Sequence, residues 1–244
     1  QENSIDPVHF EWMHDNWSQR LSGSHDYSTK HLQVAFDEAE YGFMYRRIRE
    51  GQEENSPLWT IGRMALWPIG FYLGEHFEWR VPVDDENTLS LAWFYAQPPK
   101  DAPPYVQKSV PVWESPITDS RGRWITSHVI NQDIVAWVGQ GRIADRTKEF
   151  LGASDRGIVM IRRRYVEDYK RIEEGLDPKG VIRDPEIAKC VPLKLVGRTT
   201  GGGDLTREDW KKHPFLKFRL TDHRHCFGQP KEVREEFMRA MGFA

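Results

Sequence analysis

The stretch that decides the fold of this chain is FEWRVPVDDENTLSLAWFY, residues 77–95. Its apolar side chains occupy every second position, first in the run that ends at Val83 and again from Leu89 to Tyr95. A period of two is that of a β-strand, and the polar DDEN between the runs is typical of a hairpin turn. The sequence therefore predicts an antiparallel hairpin here.

The same alternation occurs earlier in the chain. One segment has apolar residues at Leu32, Val34 and Phe36. A second segment has them at Tyr41, Phe43 and Tyr45. This is the period of half-buried strands. Between them and the hairpin lies LWTIGRMALWPIGFYLG, residues 58–74, an apolar run interrupted by glycines. We interpret that run as either further strand or the wall of a pocket.

The period changes in the second half of the chain. After a proline-rich loop at 97–116, apolar residues recur at helical spacing from Ile130 to Val138. A second helix is predicted from an N-cap at Ser154 to a stop at Gly175, with an apolar stripe of Ile158, Ile161, Tyr165, Tyr169 and Ile172. Residues 175–186 and 196–214 are predicted loops, and a short helix is expected from Lys231. Strands followed by helices indicate one α+β domain over residues 1–244.

The composition excludes several classes of protein. The chain has 244 residues, 39% of them hydrophobic, and a net charge of −3, so it lacks the basic field of a nucleic-acid-binding protein. No apolar run approaches the ~20 residues of a membrane helix, and no secretory signal is visible. Two separated cysteines, Cys190 and Cys226, favour a reducing cytoplasm over a disulfide scaffold. Because Gln1 is not an initiator methionine, we expect a fragment or a processed chain.

The segment ENSIDPVHFEWMHDNW, residues 2–17, holds the first candidate site. Pro7 suits the first position of a helix and leaves Asp6 as its N-cap. His9 lies three residues after Asp6, so the two side chains can touch. A carboxylate in contact with a metal-bound histidine commonly fixes the orientation and tautomer of its ring. His14 is five residues beyond His9, about 140° around an ideal helix, so both reach one ion only if the helix bends or ends between them. The alternative is that Asp6 only caps the helix and both histidines only lie on its surface.

A distant carboxylate completes the candidate set. Asp133, in SHVINQDIVAWVGQG (127–141), lies about 40° from Trp137 on a helical wheel, at the flank of the apolar face. A carboxylate there is costly unless it is paired or binds a cation, although a helix-edge aspartate turned towards water is the simpler interpretation of Asp133 alone. Two histidines and one carboxylate form the facial triad of non-haem Fe(II) enzymes.

Two motifs together resemble the catalytic domain of Rieske-type non-haem iron oxygenases. The first is D-x-x-H-x-x-x-x-H at Asp6, His9 and His14. The second is the segment at 131–180, where N-x-D precedes RT-x-E-x-LG-x-SD-x-GI and an arginine-rich helix, as in the phthalate-dioxygenase-like branch. The resemblance covers most of the chain from Glu2 to about Gly180.

The resemblance implies a fold, cofactors and partners. The family fold is a helix-grip (Bet v 1/START-like) domain, a curved antiparallel sheet packed against long C-terminal helices. Mononuclear Fe(II) would be held by His9, His14 and Asp133, and Asp6 would link it to a [2Fe–2S] cluster in a neighbouring subunit, which implies a ring-shaped homotrimer. Electrons from NAD(P)H would arrive through a reductase or ferredoxin component. The C-x-H and C-x-x-H motifs of the N-terminal Rieske domain do not occur in this sequence, so we expect multiple turnover only after rejoining to such a domain.

Substrate choice follows from the same resemblance. The C-terminal stretch at 195–218 resembles O-demethylases of lignin-derived methoxylated biaryls, which release formaldehyde, and ring dihydroxylation of a phthalate-like aromatic acid is the close alternative. Trp67 and Phe71 are candidate pocket residues, with packing in the core as the alternative, and Arg63 and Arg219 are candidates for binding a substrate carboxylate. Two other classes stay open: a zinc hydrolase using the same three ligands, and a metal-free carrier of the START type.

Overall fold

The computed structural model describes residues 2–16, 30–72, 76–126, 129–193, 202–213, 220 and 230–244. Contacts between residues divide the chain into two compact units. The first unit comprises residues 1–94 and 143–198, and the second comprises 95–142 and 199–244. The interpretation of residues 1–244 as a single catalytic domain stays a prediction.

Within its described residues, the first unit contains two antiparallel sheets of three strands each. One sheet has the order β1 (His31–Ala39), β2 (Gly42–Arg49) and β3 (Arg63–Leu66), and a short helix, α2 (Pro57–Thr60), lies between the last two strands in sequence. Phe36 pairs with Tyr45 across β1 and β2, and Tyr45 pairs with Arg63 across β2 and β3. The strands predicted from alternation in β1 and β2 are confirmed.

The second sheet contains the hairpin that the sequence predicts. Its order is β4 (Gly70–Tyr72), β5 (His76–Pro82) and β6 (Thr88–Phe94), and Asp84 closes the turn by accepting from the backbone N–H groups of Glu86 and Asn87. Alternation predicted the strands correctly but not the buried face. The polar residues His76 and Glu78 of β5 are buried. The alternating apolar residues of the hairpin are half-buried or exposed, and the exposed ones include Leu89, Leu91, Trp93 and Tyr95.

Besides α2, the α-helices described in the first unit are α1 (Pro7–His9), which continues as a π-helix (Phe10–His14), α4 (Arg156–Glu173) and α5 (Pro185–Lys189). The prediction of Ser154 as the N-cap of α4 is wrong. A 3-10 turn at Ala153–Asp155 precedes the helix, and Asp155 is the N-cap, with its carboxylate accepting from the N–H of Gly152. The predicted stop is confirmed, because Gly175 has a φ of 74°, which suits glycine just after a helix.

The second unit contains α3 (Val129–Gly139), α6 (Arg207–Lys212) and α7 (Lys231–Ala240). The predicted helices around Ile134 and from Lys231 are confirmed, as is the irregular proline-rich stretch at 97–116. The prediction of a loop throughout 196–214 is wrong for α6. Its capping box, with Thr206 and Asp209 bonded to each other's backbone N–H, begins a helix whose Trp210 is 1% exposed.

Each unit has its own apolar core. In the first unit, α4 packs on the inner face of β1–β3, and the buried cluster consists of Ile5, Phe43, Tyr45, Ala65, Trp67 and Ile161. In the second, Trp210 packs with Leu220 and Met241. Antiparallel sheets combined with helices confirm the α+β class, and the curvature of a helix-grip sheet stays a prediction. Among the described helices, none has the length and apolar character that a membrane crossing requires.

Candidate metal centre

The two candidate histidines are brought together by a change of helix type. His9 ends α1, and the following turn, Phe10–His14, is π-helical, with the N–H of Asp15 bonded to the carbonyl of Phe10 five residues back. In a turn of that width residues five apart lie on one side of the helix. The imidazole centroids of His9 and His14 are accordingly 5.2 Å apart. The bend that the sequence required is therefore a π-turn.

Asp6 serves the helix and His9 with different oxygens. Its Oδ1 accepts from the N–H of Val8 at 2.8 Å, which confirms the predicted N-cap, and its Oδ2 lies 3.4 Å from Nδ1 of His9. A carboxylate facing Nδ1 favours the tautomer that leaves Nε2 for a metal. Burial raises the pKa of Asp6, but the contact with His9 and the backbone N–H groups outweigh it and leave the pKa below its ordinary value. Asp6 is therefore an anion at neutral pH.

Asp133 comes close to both histidines. One ligand atom from each of His9, His14 and Asp133 lies within 4.8 Å of the others. The donor atoms of one ion stand up to about 4 Å apart, so 4.8 Å is somewhat wider than a closed coordination sphere, and the three atoms are near enough to be candidates for one ion. Two imidazoles and one carboxylate fit a divalent transition metal such as Fe(II) or Zn(II). His14 is buried, whereas His9 and Asp133 are half-buried.

The helix that carries Asp133 is anchored by its neighbouring residues. Asn131, 1% exposed, donates from its side-chain amide to the carbonyl of Pro116 at 2.9 Å. Gln132 donates to the carbonyl of Thr126, also at 2.9 Å. Both bonds satisfy buried amides and hold the first turn of α3 on the irregular segment that precedes it. In the sequence N-Q-D of this helix, the first two residues thus hold the helix in place and the third is the candidate ligand.

Two arginines surround the aromatic ring between the histidines. The ring of Phe10 lies 4.4 Å from that of His9 and 5.4 Å from that of His14, measured between centroids. Above it lie the guanidinium carbons of Arg47 at 5.0 Å and Arg63 at 5.7 Å. Arg63 was a predicted substrate residue, and its contact with a substrate stays a prediction. Arg47, which is 1% exposed, was missed because nothing in its spacing distinguishes it from a surface arginine of a strand.

The other predicted substrate residues have different surroundings. Trp67 is 8% exposed and lies in the apolar core, where its indole N–H donates to Asp168 at 2.7 Å. Phe71 is buried on β4 and pairs with Glu78 across the sheet. Arg219 lies outside the described residues. Substrate contact by Trp67 and Phe71 stays a prediction.

Comparison with known proteins shows which sequences this chain is similar to. Residues 121–199 match the family model described as LigXa C-terminal domain like. The chain is 52% identical over 234 residues to the 5,5'-dehydrodivanillate O-demethylase oxygenase subunit of Sphingobium sp. (strain NBRC 103272 / SYK-6), an alignment that covers 96% of this chain and 55% of that protein. It is 25% identical over 191 residues to the phenoxybenzoate dioxygenase subunit alpha of Ectopseudomonas oleovorans, covering 74% of this chain and 44% of the relative. The chain thus spans about half the length of the curated relatives it matches.

The α+β fold and the candidate ligands His9, His14 and Asp133 agree with a class of protein that the comparisons indicate, the catalytic domains of non-haem iron oxygenases. The chain is similar over nearly its whole length to the 5,5'-dehydrodivanillate O-demethylase oxygenase subunit, and its residues 121–199 match the LigXa C-terminal domain-like family.

Proposed function

We propose that this chain is the catalytic part of an oxygenase subunit that O-demethylates a lignin-derived methoxylated biaryl acid, with 5,5'-dehydrodivanillate as the reference substrate. The observation that carries the proposal is the approach of ligand atoms of His9, His14 and Asp133 to within 4.8 Å of one another. The substrate class is supported by 52% identity to the O-demethylase subunit over nearly the whole chain.

In this proposal His9, His14 and Asp133 would hold a mononuclear Fe(II) ion. The bound iron supplies the activation of O2 that organic side chains do not provide. Asp6 holds His9 in the tautomer whose Nε2 faces the ion. The buried position of His14 and the packing of Phe10 against both imidazoles limit the access of water to the site.

Asp6 has a second proposed task, which is to connect this site to an electron donor. A [2Fe–2S] cluster of a neighbouring subunit would dock beside it, with electrons from NAD(P)H delivered through a reductase or ferredoxin component. A homotrimeric ring would place such a cluster at every site. The side chain of Asp6 is 26% exposed, which leaves it accessible to a docked partner.

The proposed reaction at a methoxy group consumes one O2, two electrons and two protons. One oxygen atom of O2 enters a C–H bond of the methyl group, and the other leaves as water after uptake of two electrons and two protons. The resulting hemiacetal breaks its bond between oxygen and the hydroxymethyl carbon, which gives a phenol and formaldehyde. Arg63, beside Phe10, is the proposed partner of a substrate carboxylate, because a guanidinium pairs with a carboxylate through two hydrogen bonds. Trp67, Phe71 and Arg219 remain proposed pocket residues.

The test of the metal site uses anaerobically purified protein reconstituted with Fe(II). We expect about one iron per chain and a high-spin electron paramagnetic resonance signal from the nitric oxide adduct. Both should be lost in Asp133→Ala and retained in Asp177→Ala, a control that removes a surface carboxylate paired with Arg183. Zinc or no metal in the folded wild-type protein would overturn the proposal in favour of the hydrolase or the carrier.

The test of the reaction uses the oxygenase joined to a Rieske domain and supplied by a reductase. With a methoxylated biaryl acid we expect one formaldehyde and one new phenol per O2 consumed. Ring dihydroxylation is the second candidate, favoured by the 25% identity to phenoxybenzoate dioxygenase subunit alpha. A dihydrodiol formed without formaldehyde would establish that second candidate instead.

A further inference from the structure

The π-turn that aligns the two histidines is held from its far side by a carboxylate. Glu11 follows His9 by two residues, so its side chain leaves the helix on roughly the opposite side, about 200° around an ideal helix. There its Oε1 accepts from the backbone N–H of His31 and lies 2.6 Å from Nδ1 of the same residue. One carboxylate oxygen thus joins the candidate ligand helix to the first residue of β1.

His31 is in turn held by the core of the sheet. The hydroxyl of Tyr45 lies 3.0 Å from Nε2 of His31, and Tyr45 is 1% exposed and stacks on Phe36 with ring centroids 5.5 Å apart. With Nδ1 donating to Glu11, Nε2 is the acceptor, so the Tyr45 hydroxyl donates. A continuous chain of hydrogen bonds therefore leads from the π-turn through His31 into the buried face of β2.

The charge state of His31 suits this arrangement. Burial, together with the positive charges of Arg47 and Arg49, lowers the pKa of His31 to about 4, although the hydrogen bond to Glu11 acts to raise it. At neutral pH the imidazole is therefore neutral, with one donor nitrogen and one acceptor nitrogen. Those are the two roles that Glu11 and Tyr45 require of it.

A π-turn needs support of this kind. Its hydrogen bonds are one residue wider than those of an α-helix, and such turns are rare and commonly occur at functional sites. If the turn reverted to α-helical geometry, His9 and His14 would stand about 140° apart around the helix. The anchor at Glu11 lies between the two histidines in sequence, so a shift of that anchor moves both imidazoles.

We propose that Glu11, acting through His31 and Tyr45, is a positioning residue that keeps His9 and His14 directed at one metal ion. This inference rests on the proposed function of His9 and His14 as ligands. Glu11 does not touch the ion. It fixes the backbone from which both ligands project, and outer partners of metal ligands commonly contribute 10–100-fold to metal affinity.

The test compares Glu11→Ala with Glu11→Gln in the full chain. The Gln side chain keeps an oxygen that accepts from both N–H groups of His31, whereas Ala keeps none. We expect the dissociation constant for Fe(II) to rise about tenfold or more in Glu11→Ala, with an altered rhombicity of the Fe–NO resonance, and expect Glu11→Gln to stay close to the wild type. The matched control is Glu167→Ala, which removes a surface carboxylate paired with Arg163.

The outcomes separate this inference from the proposed function. If the wild type binds no iron, the proposed function fails. If the wild type binds iron and Glu11→Ala binds it equally well with the same resonance, the positioning role is overturned. Should Glu11→Ala not fold, Tyr45→Phe removes only the hydroxyl at the end of the chain, and we expect a smaller rise of the dissociation constant with the same change in the resonance. An unchanged constant and resonance in Tyr45→Phe would equally overturn the role.

Discussion

At the scale of single residues, Asp6 combines two tasks that different substitutions separate. Oδ1 caps the ligand helix, and Oδ2 faces Nδ1 of His9. An amide at this position keeps the oxygen that caps the helix but removes the negative charge beside the imidazole. Alanine removes both. The cap contributes to folding, and the charge contributes to the site.

We predict that Asp6→Asn keeps the thermal midpoint of the wild type, whereas Asp6→Ala lowers the free energy of unfolding by about 1 kcal/mol. Both variants should lower turnover of the assembled oxygenase by tenfold or more, because the carboxylate partner of a metal-bound histidine is lost. Calorimetry and O2 uptake measure the two effects. An Asp6→Asn enzyme with wild-type turnover would contradict the role assigned to the charge.

Glu78 is a second residue whose environment determines its charge. It is 5% exposed on β5, with Nε2 of His76 at 2.8 Å from its Oε1, and the guanidinium of Arg80 donates to its Oε2. Burial raises the pKa of Glu78, but these two partners outweigh burial and lower it to about 2. A buried carboxylate is costly without partners, so this triad stabilises the fold only while Glu78 is ionised.

The sign of the pH dependence follows from the lowered pKa. The ordinary value of a glutamate is 4.5, so the stabilisation is present above that pH and is lost as the pH falls towards 2. We predict that Glu78→Gln lowers the free energy of unfolding at pH 7 by about 3 kcal/mol. The difference from wild type should shrink steadily below pH 4.5 in urea titrations. A difference that is constant from pH 7 to pH 3 would contradict the prediction.

At the scale of elements, the packing of α4 on β1 depends on a glycine. Gly157, in the first turn of α4, lies against the ring of Phe36, and a Cβ built there would stand 2.4 Å from its Cδ1. Phe36 is itself stacked on Tyr45, so the ring has little room to move. The helix approaches the sheet this closely because residue 157 lacks a side chain.

We therefore predict that Gly157→Ala lowers the free energy of unfolding by about 1–3 kcal/mol, although alanine is the better helix former. Gly139→Ala is the matched control, since a Cβ there meets nothing within 4 Å at the end of α3. That variant should equal or slightly exceed the wild type in chemical denaturation. Equal stability of both variants would show that Phe36 yields to the new methyl group.

At the scale of the whole molecule, long-range contacts tie distant parts of the first unit together. The indole N–H of Trp67 donates to Oδ2 of Asp168, 101 residues away, and the same oxygen accepts from the backbone N–H of Lys179. Asp168 is 5% exposed on α4. A single carboxylate thus connects the end of β3, the long helix and the segment that follows it.

We predict that Trp67→Phe lowers the free energy of unfolding by about 2–4 kcal/mol, because it leaves a buried carboxylate with one donor fewer and a cavity beside it. Trp124→Phe, at a position that is 44% exposed, is the control and should change stability by less than about 0.5 kcal/mol. Denaturant titrations of both variants provide the measurement. A loss below about 1 kcal/mol in Trp67→Phe would show that Asp168 finds another donor.

What the sequence determined by itself was mostly local. Alternation located β1, β2 and the β5–β6 hairpin, helical spacing located α3 and α4, and the pair Asp6–Pro7 marked the start of the ligand helix, because such preferences depend on residues within a few positions of each other. The three candidate ligands could also be identified from the sequence. The motifs that contain them resemble a known family, and that resemblance indicated the chemistry. The capping box before α6 was present in the sequence but was obscured by the glycines in front of it.

Tertiary structure decided the rest. The π-turn that brings His14 beside His9 depends on anchors outside its own segment, among them His31, 20 residues beyond Glu11. The hairpin buries its polar face because Glu78 is bonded to His76 and Arg80 on the same strand. The alternation of apolar residues does not predict these contacts. The approach of Asp133 to both histidines joins residues more than a hundred positions apart. Such contacts depend on the packing free energy of the whole chain, and a local pattern carries no information about it.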